Sequence, residues 1–481
     1  MIRQLSTLLA ALFLFGLPAA ETADGSGLAW FDPGRPGSGI VPAPGGAVTV
    51  KVDRNRKTFR IPGRFYGINI HPLPARDAFR NPGLLRELRP DSIRIMVTPR
   101  TGWIKKDGRT VTTRDPMFPE RGRVDWKELD ALLSGIEAAG AEPYVTLGFG
   151  APEWLNSGKG PKFGRPLPED LPEYAKLKGE IAAHIARKFR VPYLALENEP
   201  ENVKYPIDDY LQFCRLAMTE VRRAAPGVKI AGPATGYAKW AQPGGGALTF
   251  SKSLEKLRDG KAGFDVIDWH IYSGTPGSVF RTVESVRKVY GDRIPLFISE
   301  LNLDWRYSGS GGAESRISNT GWNSAVWLAE VFDGLQSLGV ERAYYFCLRN
   351  NFFGLYDYWI TEVHPGFHVF RMFTSQLGRQ RLEARSGHAA VGAVATLDAR
   401  NRMAVLLYNR SEAPVTVRLD APGFQPAERF TFSREWYETH RKITGGRAEL
   451  LPPETSGDLG RLLIPARGIL LLAETQSIRK Q

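Results

Sequence analysis

Between residues 65 and 348 short apolar runs alternate with turns and longer amphipathic stretches. The short runs fall at residues 65–70, 92–97, 143–147, 193–196, 229–231, 265–270, 295–299 and 342–348, and their β-branched and aromatic content predicts strands. Apolar residues recur at helical spacing over 126–139, 172–189, 207–225, 279–290, 320–338 and 368–377. Gly140, Gly339 and Gly378 follow three of these stretches, where a left-handed C-cap fits. The first unit offers only a short helical pattern near Leu84–Leu88, and the fifth has the faintest pattern of all. Eight strand-then-helix units with mostly short connections predict parallel strands closed into a (β/α)8 TIM barrel of the α/β class.

Beyond Gly378 the period changes to two. Runs at 390–397, 403–409, 415–419, 429–432 and 461–473, the last interrupted at Pro465, are separated by polar or Gly/Pro turns and predict an accessory antiparallel β-sandwich. Residues 48–52 and 58–61 are also strand-like and are expected to join it. The chain thus divides into an export signal over 1–20, an N-terminal segment over 21–63, a barrel over 64–378 and a sandwich over 379–481.

The signal reading rests on Arg3, an apolar stretch over residues 8–17 and the small-residue exit Pro18-Ala19-Ala20. That stretch is too short to span a bilayer, which needs about 20 residues. The mature protein is therefore expected to be secreted or periplasmic, without stable membrane insertion. Two cysteines, Cys214 and Cys347, cannot staple a fold of 481 residues and read as small buried apolar groups. No zinc-like spacing, phosphate loop or EF-hand occurs, so no cofactor and no metal is expected. The net charge of +13 is spread along the chain without a nucleic-acid module, which argues against nucleic acid and favours an acidic polysaccharide as partner.

In such a barrel chemistry sits at the C-terminal ends of the strands. There the sequence places Arg94 on the second strand, Asn198 and Glu199 after the fourth, His270 and Tyr272 at the sixth and Glu300 on the seventh. Two carboxylates on strand ends suit glycosidic cleavage, one protonating the leaving oxygen and the other attacking the anomeric carbon. Arg94 would keep one carboxylate ionised, Tyr272 would hydrogen-bond the nucleophile, and Asn198 would contact the sugar hydroxyl beside the reacting carbon. Trp154, Trp305 and Trp359 offer flat surfaces for sugar rings, and His71, after the first strand, would line the deepest subsite. Singly, an Arg, His or Tyr in a barrel more often closes a buried hydrogen-bond network. Glu201, Asp304 and Asp357 read as loop carboxylates or substrate contacts.

Together Asn198-Glu199-Pro200, His270-Ile271-Tyr272 and Ile298-Ser299-Glu300-Leu301-Asn302 resemble the clan A glycoside hydrolases. The resemblance is nearest to family 39 and its relatives in families 51, 79 and 30, which pair a barrel with a β-sandwich, and it covers residues 65–473. It implies that Glu199 is the acid/base and Glu300 the nucleophile of a retaining enzyme. Two departures stand out: Glu197 occupies a place where family 39 tends to carry an aromatic residue, and the eighth strand lacks the clan's common Trp. Glu197 is expected to form a salt bridge inside the barrel or to tune Glu199, and Trp359 to replace the missing stacking surface.

The expectation is an exported retaining glycosidase acting on β-type linkages of a polysaccharide or oligosaccharide, with the connections over 98–124, 148–170 and 304–319 either walling a cleft for endo action, the favoured reading, or sealing a pocket for exo action. Its rivals are a non-catalytic carbohydrate-binding protein of polysaccharide export or a biofilm matrix, and a transglycosylase using the same residues.

Overall fold

The structure, a computed structural model, describes residues 41–474 apart from 71–72, 98–101, 107–108, 149, 156–165, 203–204, 237–239, 242–245 and 306–318. Eight parallel strands close a barrel in chain order: Tyr66–Asn69, Ser92–Met96, Glu142–Thr146, Tyr193–Ala195, Lys229–Thr235, Val266–Tyr272, Leu296–Asn302 and Arg342–Tyr345. Each overlaps one of the apolar runs read from the sequence. They are buried along nearly their whole length because helices cover the outside and side chains fill the inside.

The helices Lys127–Ala138, Leu171–Lys188, Ile207–Ala224, Pro276–Tyr290 and Asn323–Ser337 lie where helical spacing places them. The short first helix Pro82–Leu88 is set by Asn81, whose side chain caps Leu84 N–H, by Pro82 in its first turn and by three buried leucines. The fifth unit carries a helix that the sequence reading missed, Phe250–Asp259. Thr249 caps it, and Phe250, Leu254 and Leu257 form its buried stripe. The last helix starts at Pro365, three residues before the expected His368, and its end widens to a π turn over Met372–Gln376.

The C-terminal region is one nine-stranded sheet. Its order runs from Glu454–Thr455 through Glu428–Phe432, Ile469–Ala473, Met403–Asn409, Val391–Leu397, Gln380–Ser386, Val48–Arg60 and Val415–Asp420 to Leu462–Ile464. All pairings are antiparallel except that of Val48–Arg60 with Val415–Asp420. The sheet curls over a core of its own that includes Val50, Val405, Val417 and Leu472. Alternate residues of the same strands, among them Leu406, Tyr408, Phe432 and Leu471, belong to the barrel's core. Met403–Asn409 is therefore buried at every position. Ion pairs seal the seam: Arg381 Nη2 reaches Asp333 Oδ1 at 2.6 Å, and the Tyr408 hydroxyl donates to Asp333 Oδ2 at 3.0 Å.

Inside the barrel, Tyr144, Ala195, Ala231, Phe297 and Tyr344 make an apolar plug. Polar side chains from later positions on the strands stand above it, Arg94 over the ring of Tyr144 at 5.9 Å. Of the connections expected to wall a cleft, the first forms a hairpin of Gly102–Lys106 with Arg109–Arg114; most of the other two lies outside the described residues, as does the expected signal. Both cysteines are free and buried. No helix among the described residues is long and apolar enough to cross a membrane.

Candidate active site

Arg94 organises the open end of the barrel. Its guanidinium is fully buried and donates to Glu300 Oε1 at 2.8 Å, Asn69 Oδ1 at 3.0 Å, Asn198 Oδ1 at 2.6 Å and Thr146 Oγ1 at 3.2 Å. These partners come from the first, third, fourth and seventh units, so a single planar cation ties together four strand ends. A buried ion pair repays its desolvation only when its remaining donors and acceptors are also satisfied; this one meets that condition. Glu300 Oε2 accepts the Tyr272 hydroxyl at 2.6 Å. Burial first, and then the charge on Glu300, hold the Tyr272 phenol well above its usual range, so it remains a donor at neutral pH.

Glu199 leaves the fourth strand with a φ of 41°, in the left-handed region where a non-glycine residue is uncommon. Its N–H bonds to Ala234 O at 2.9 Å, and this anchor on the fifth strand holds the turn. Such conformations recur at functional sites, where the surroundings over-determine them. Glu199 Oε1 lies 2.8 Å from His270 Nδ1, and its Oε2 accepts the Asn202 amide at 2.6 Å. His270 Nδ1 also faces Glu300 Oε2 at 3.6 Å, while Nε2 faces Arg94 at 3.5 Å.

Burial would raise the Glu199 carboxyl, but the bond to His270, its charge and the Asn202 amide outweigh it and hold the carboxyl below its usual range. Burial likewise would lower the His270 imidazole, and the Glu300 and Glu199 carboxylates outweigh it and raise it. Both directions favour a negative charge on Glu199 and a proton on the facing His270 Nδ1. Donor atoms of Glu199, His270 and Glu300 lie within 4.8 Å of one another, the one such trio of His, Cys, Asp or Glu among the described residues. With the Arg94 guanidinium on Glu300 and His270 Nδ1 facing both carboxyls, the trio is an ion-paired cluster and not a metal centre.

The structure brings Arg94, Asn198, Glu199, His270, Tyr272 and Glu300 into one cluster. The three tryptophans stand on connections that follow the third, seventh and eighth strands. Trp154 is half-buried, with its indole N–H on Phe118 O at 3.0 Å and Arg121 over its ring. Trp305 and Trp359, 40% and 49% exposed, stand on the connections after the seventh and eighth strands. His71 lies outside the described residues. Asp357 is a loop clamp: its carboxylate accepts from the N–H groups of Trp359, Thr361 and Glu362 and the Thr361 hydroxyl. Asp304 is buried, with its backbone held by Asn319.

Glu197 turns away from the cluster. It accepts from Gly150 N–H at 3.1 Å and the Tyr174 hydroxyl at 2.5 Å and lies 3.5 Å from Lys178 Nζ, so its salt bridge is made to the helix Leu171–Lys188 and not, as expected, inside the barrel. Three residues of the cluster are absent from the sequence reading. Asn69 and Thr146 end the first and third strands and were findable by inspecting every strand end; Asn202, in a turn, carries no such signal.

No protein-family profile and no curated protein matches the sequence. Solved structures do match over about nine-tenths of the chain. The family 39 glycoside hydrolase of Xanthomonas axonopodis pv. citri aligns with a TM-score of 0.61 at 16% identity, covering 91% of this chain and 98% of that one. An α-L-arabinofuranosidase of Thermotoga maritima aligns at 0.62 and 14%, covering 89% and 100%. A family 30 endoxylanase of Clostridium papyrosolvens aligns at 0.58 and 13%, again covering 89% and 100%. The chain shares the barrel-plus-sheet fold of these clan A enzymes.

Proposed function

We propose that the protein is an exported retaining glycoside hydrolase that cleaves β-type linkages in an oligosaccharide or polysaccharide. The carrying observation is the pair Glu199 and Glu300, on facing strand ends, with an oxygen of each within 4.8 Å of the other's. That approach fits retaining carboxyl groups, about 5 to 5.5 Å apart, better than the roughly 6.5 to 9.5 Å of inverting ones, which leave room for a water. Glu300, fixed by Arg94 and Tyr272, attacks the anomeric carbon while Glu199 protonates the leaving oxygen. Glu199 then deprotonates the water that releases the sugar from Glu300. Asn198, held by Arg94, presents its amide to the hydroxyl beside the reacting carbon. Trp305 and Trp359 provide exposed stacking faces, and the basic balance favours an acidic glycan.

The test is turnover on a panel of aryl β-glycosides and acidic exopolysaccharides by wild type, Glu199→Gln and Glu300→Gln. The reading requires a loss of about 10³-fold or more in the Glu300 variant. Wild-type protein that binds polysaccharide and turns over nothing would make it a binding protein instead, and growth of product only with an added sugar acceptor would make it a transglycosylase.

A further inference from the structure

His270 and Asn202 favour the ionised form of Glu199, yet in the hydrolase reading its first task is to give away a proton. A second carboxyl lies beside it. Glu201 is buried, its Oε1 accepts Gly236 N–H at 2.5 Å, and its Oε2 is buried with no hydrogen-bond partner. Gly236, just beyond the fifth strand, is where the two carboxyls converge: a Cβ there would stand 3.0 Å from Glu201 Oε1 and 3.5 Å from Glu199 Oε1. A carboxylate with one bare buried oxygen is unfavourable, and a second negative charge beside it more so; a proton relieves both.

We propose that Glu199 and Glu201 act as a pair sharing one proton, with Glu201 as the positioning residue that stores it. This rests on the hydrolase reading. As the glycosidic C–O bond breaks, the shared proton moves through Glu199 to the leaving oxygen while Glu300 forms its bond to the anomeric carbon, leaving both carboxyls of the pair ionised. The attacking water returns a proton to Glu199, and the pair is restored. Burial, followed by the charge on Glu199, pushes the Glu201 carboxyl up to about 8, against smaller opposing influences of Thr235 and His270. The other titratable group facing it is Tyr210, on the helix after the fourth strand, whose phenol is held far above neutral pH.

A shared proton keeps the protonated fraction of Glu199 nearly constant with pH until the pair loses that proton. The experiment is the pH profile of kcat/KM for wild type and Glu201→Gln, which keeps an acceptor for Gly236 N–H but holds no proton. Expected is a wild-type alkaline limb near pH 8, where the Glu201 carboxyl loses its proton. In Glu201→Gln that limb should move acidward by more than about one pH unit, a loss of at least about threefold at pH 7.5 against almost none at pH 5. A variant weakened equally at every pH, or one whose limb stays in place, overturns the proposal. Infrared titration of wild-type protein needs neither substrate nor variant: a protonated carboxyl band that persists at pH 7 and disappears near pH 8 supports the pair, and its absence at pH 7 refutes it. Absence of any wild-type turnover, by contrast, would sink the hydrolase reading.

Discussion

Replacing Arg94 with Met should destabilise the protein severely, and replacing Glu300 as well should restore part of the loss. Arg94→Met removes the cation and keeps the apolar volume, leaving Glu300 a buried charge with the Tyr272 hydroxyl as its remaining donor. Removing one partner of a buried ion pair costs about 3 to 5 kcal/mol. Asn69 Oδ1 and Asn198 Oδ1 also lose a donor each, and a buried acceptor left bare costs about 1 to 3 kcal/mol. Taking the pair term with one such loss gives about 4 to 8 kcal/mol, and a chain of this size loses about 1 °C of Tm per kcal/mol. Neutralising Glu300 in Arg94→Met/Glu300→Gln removes the stranded charge but leaves both asparagines bare. Calorimetric melting of wild type, both single variants and the double variant closes the cycle. The double variant's loss should fall short of the sum of the two single losses by about 0.5 to 3 kcal/mol, the range for side chains in contact, or about 0.5 to 3 °C. Strictly additive shifts would show that the 2.8 Å contact carries no coupling and would refute the role assigned to Arg94.

Three further outcomes follow from the same geometry. The Glu201 carboxyl, raised from 4.5 to about 8 when folded, keeps its proton after the unfolded chain has lost its own, so stability falls as pH rises through that window. At about 1.4 kcal/mol per pH unit the loss is about 3 kcal/mol by pH 7, and the Tm of Glu201→Gln should gain on wild type between pH 5 and 8; a constant offset would contradict this. Asp333→Ala strands the buried Arg381 guanidinium and the Tyr408 hydroxyl at the seam, so it should cost about 2 to 4 kcal/mol; because the core is shared, barrel and sheet should still melt in one transition, and two separated transitions would contradict that. Trp359→Ala should leave Tm within about 1 °C, since its ring is half exposed, while KM rises; an unchanged KM would remove Trp359 from the sugar-binding surface.

The eight barrel strands were legible because each is buried over nearly its whole length and reads as a short, mostly apolar run. The strand ends then carried the site's chemistry, since Arg94, Glu199, His270, Tyr272 and Glu300 all sit where a barrel displays its reactive groups. Elements stabilised by polar contacts were harder to see. Gln380–Ser386 buries two adjacent residues, Arg381 and Leu382, and so shows no alternation, and its polar lettering includes Arg381, which bonds Gln336 and Asp333 across the seam. Val48–Arg60 reads as two strands, since its middle, Asp53 to Lys57, is charged and irregular where it bulges out of register with Gln380–Ser386. The helix Phe250–Asp259 follows a Gly/Pro-rich stretch that hides its start, although the Thr249 cap and its buried stripe were there to be read. In the sequence Glu201 reads as a loop carboxylate, since sequence shows adjacency to Glu199 but not depth, and depth is what suits it to hold a proton.

The most direct measurement is to trap the intermediate. A 2-deoxy-2-fluoro glycoside of whichever sugar turns over slows hydrolysis of the glycosyl–enzyme ester, and peptide mass spectrometry then locates the label. The account requires one sugar per chain, esterified to Glu300 and absent from Glu300→Gln. Label on another carboxylate, or none while the substrate is hydrolysed with inverted anomeric configuration, would contradict it.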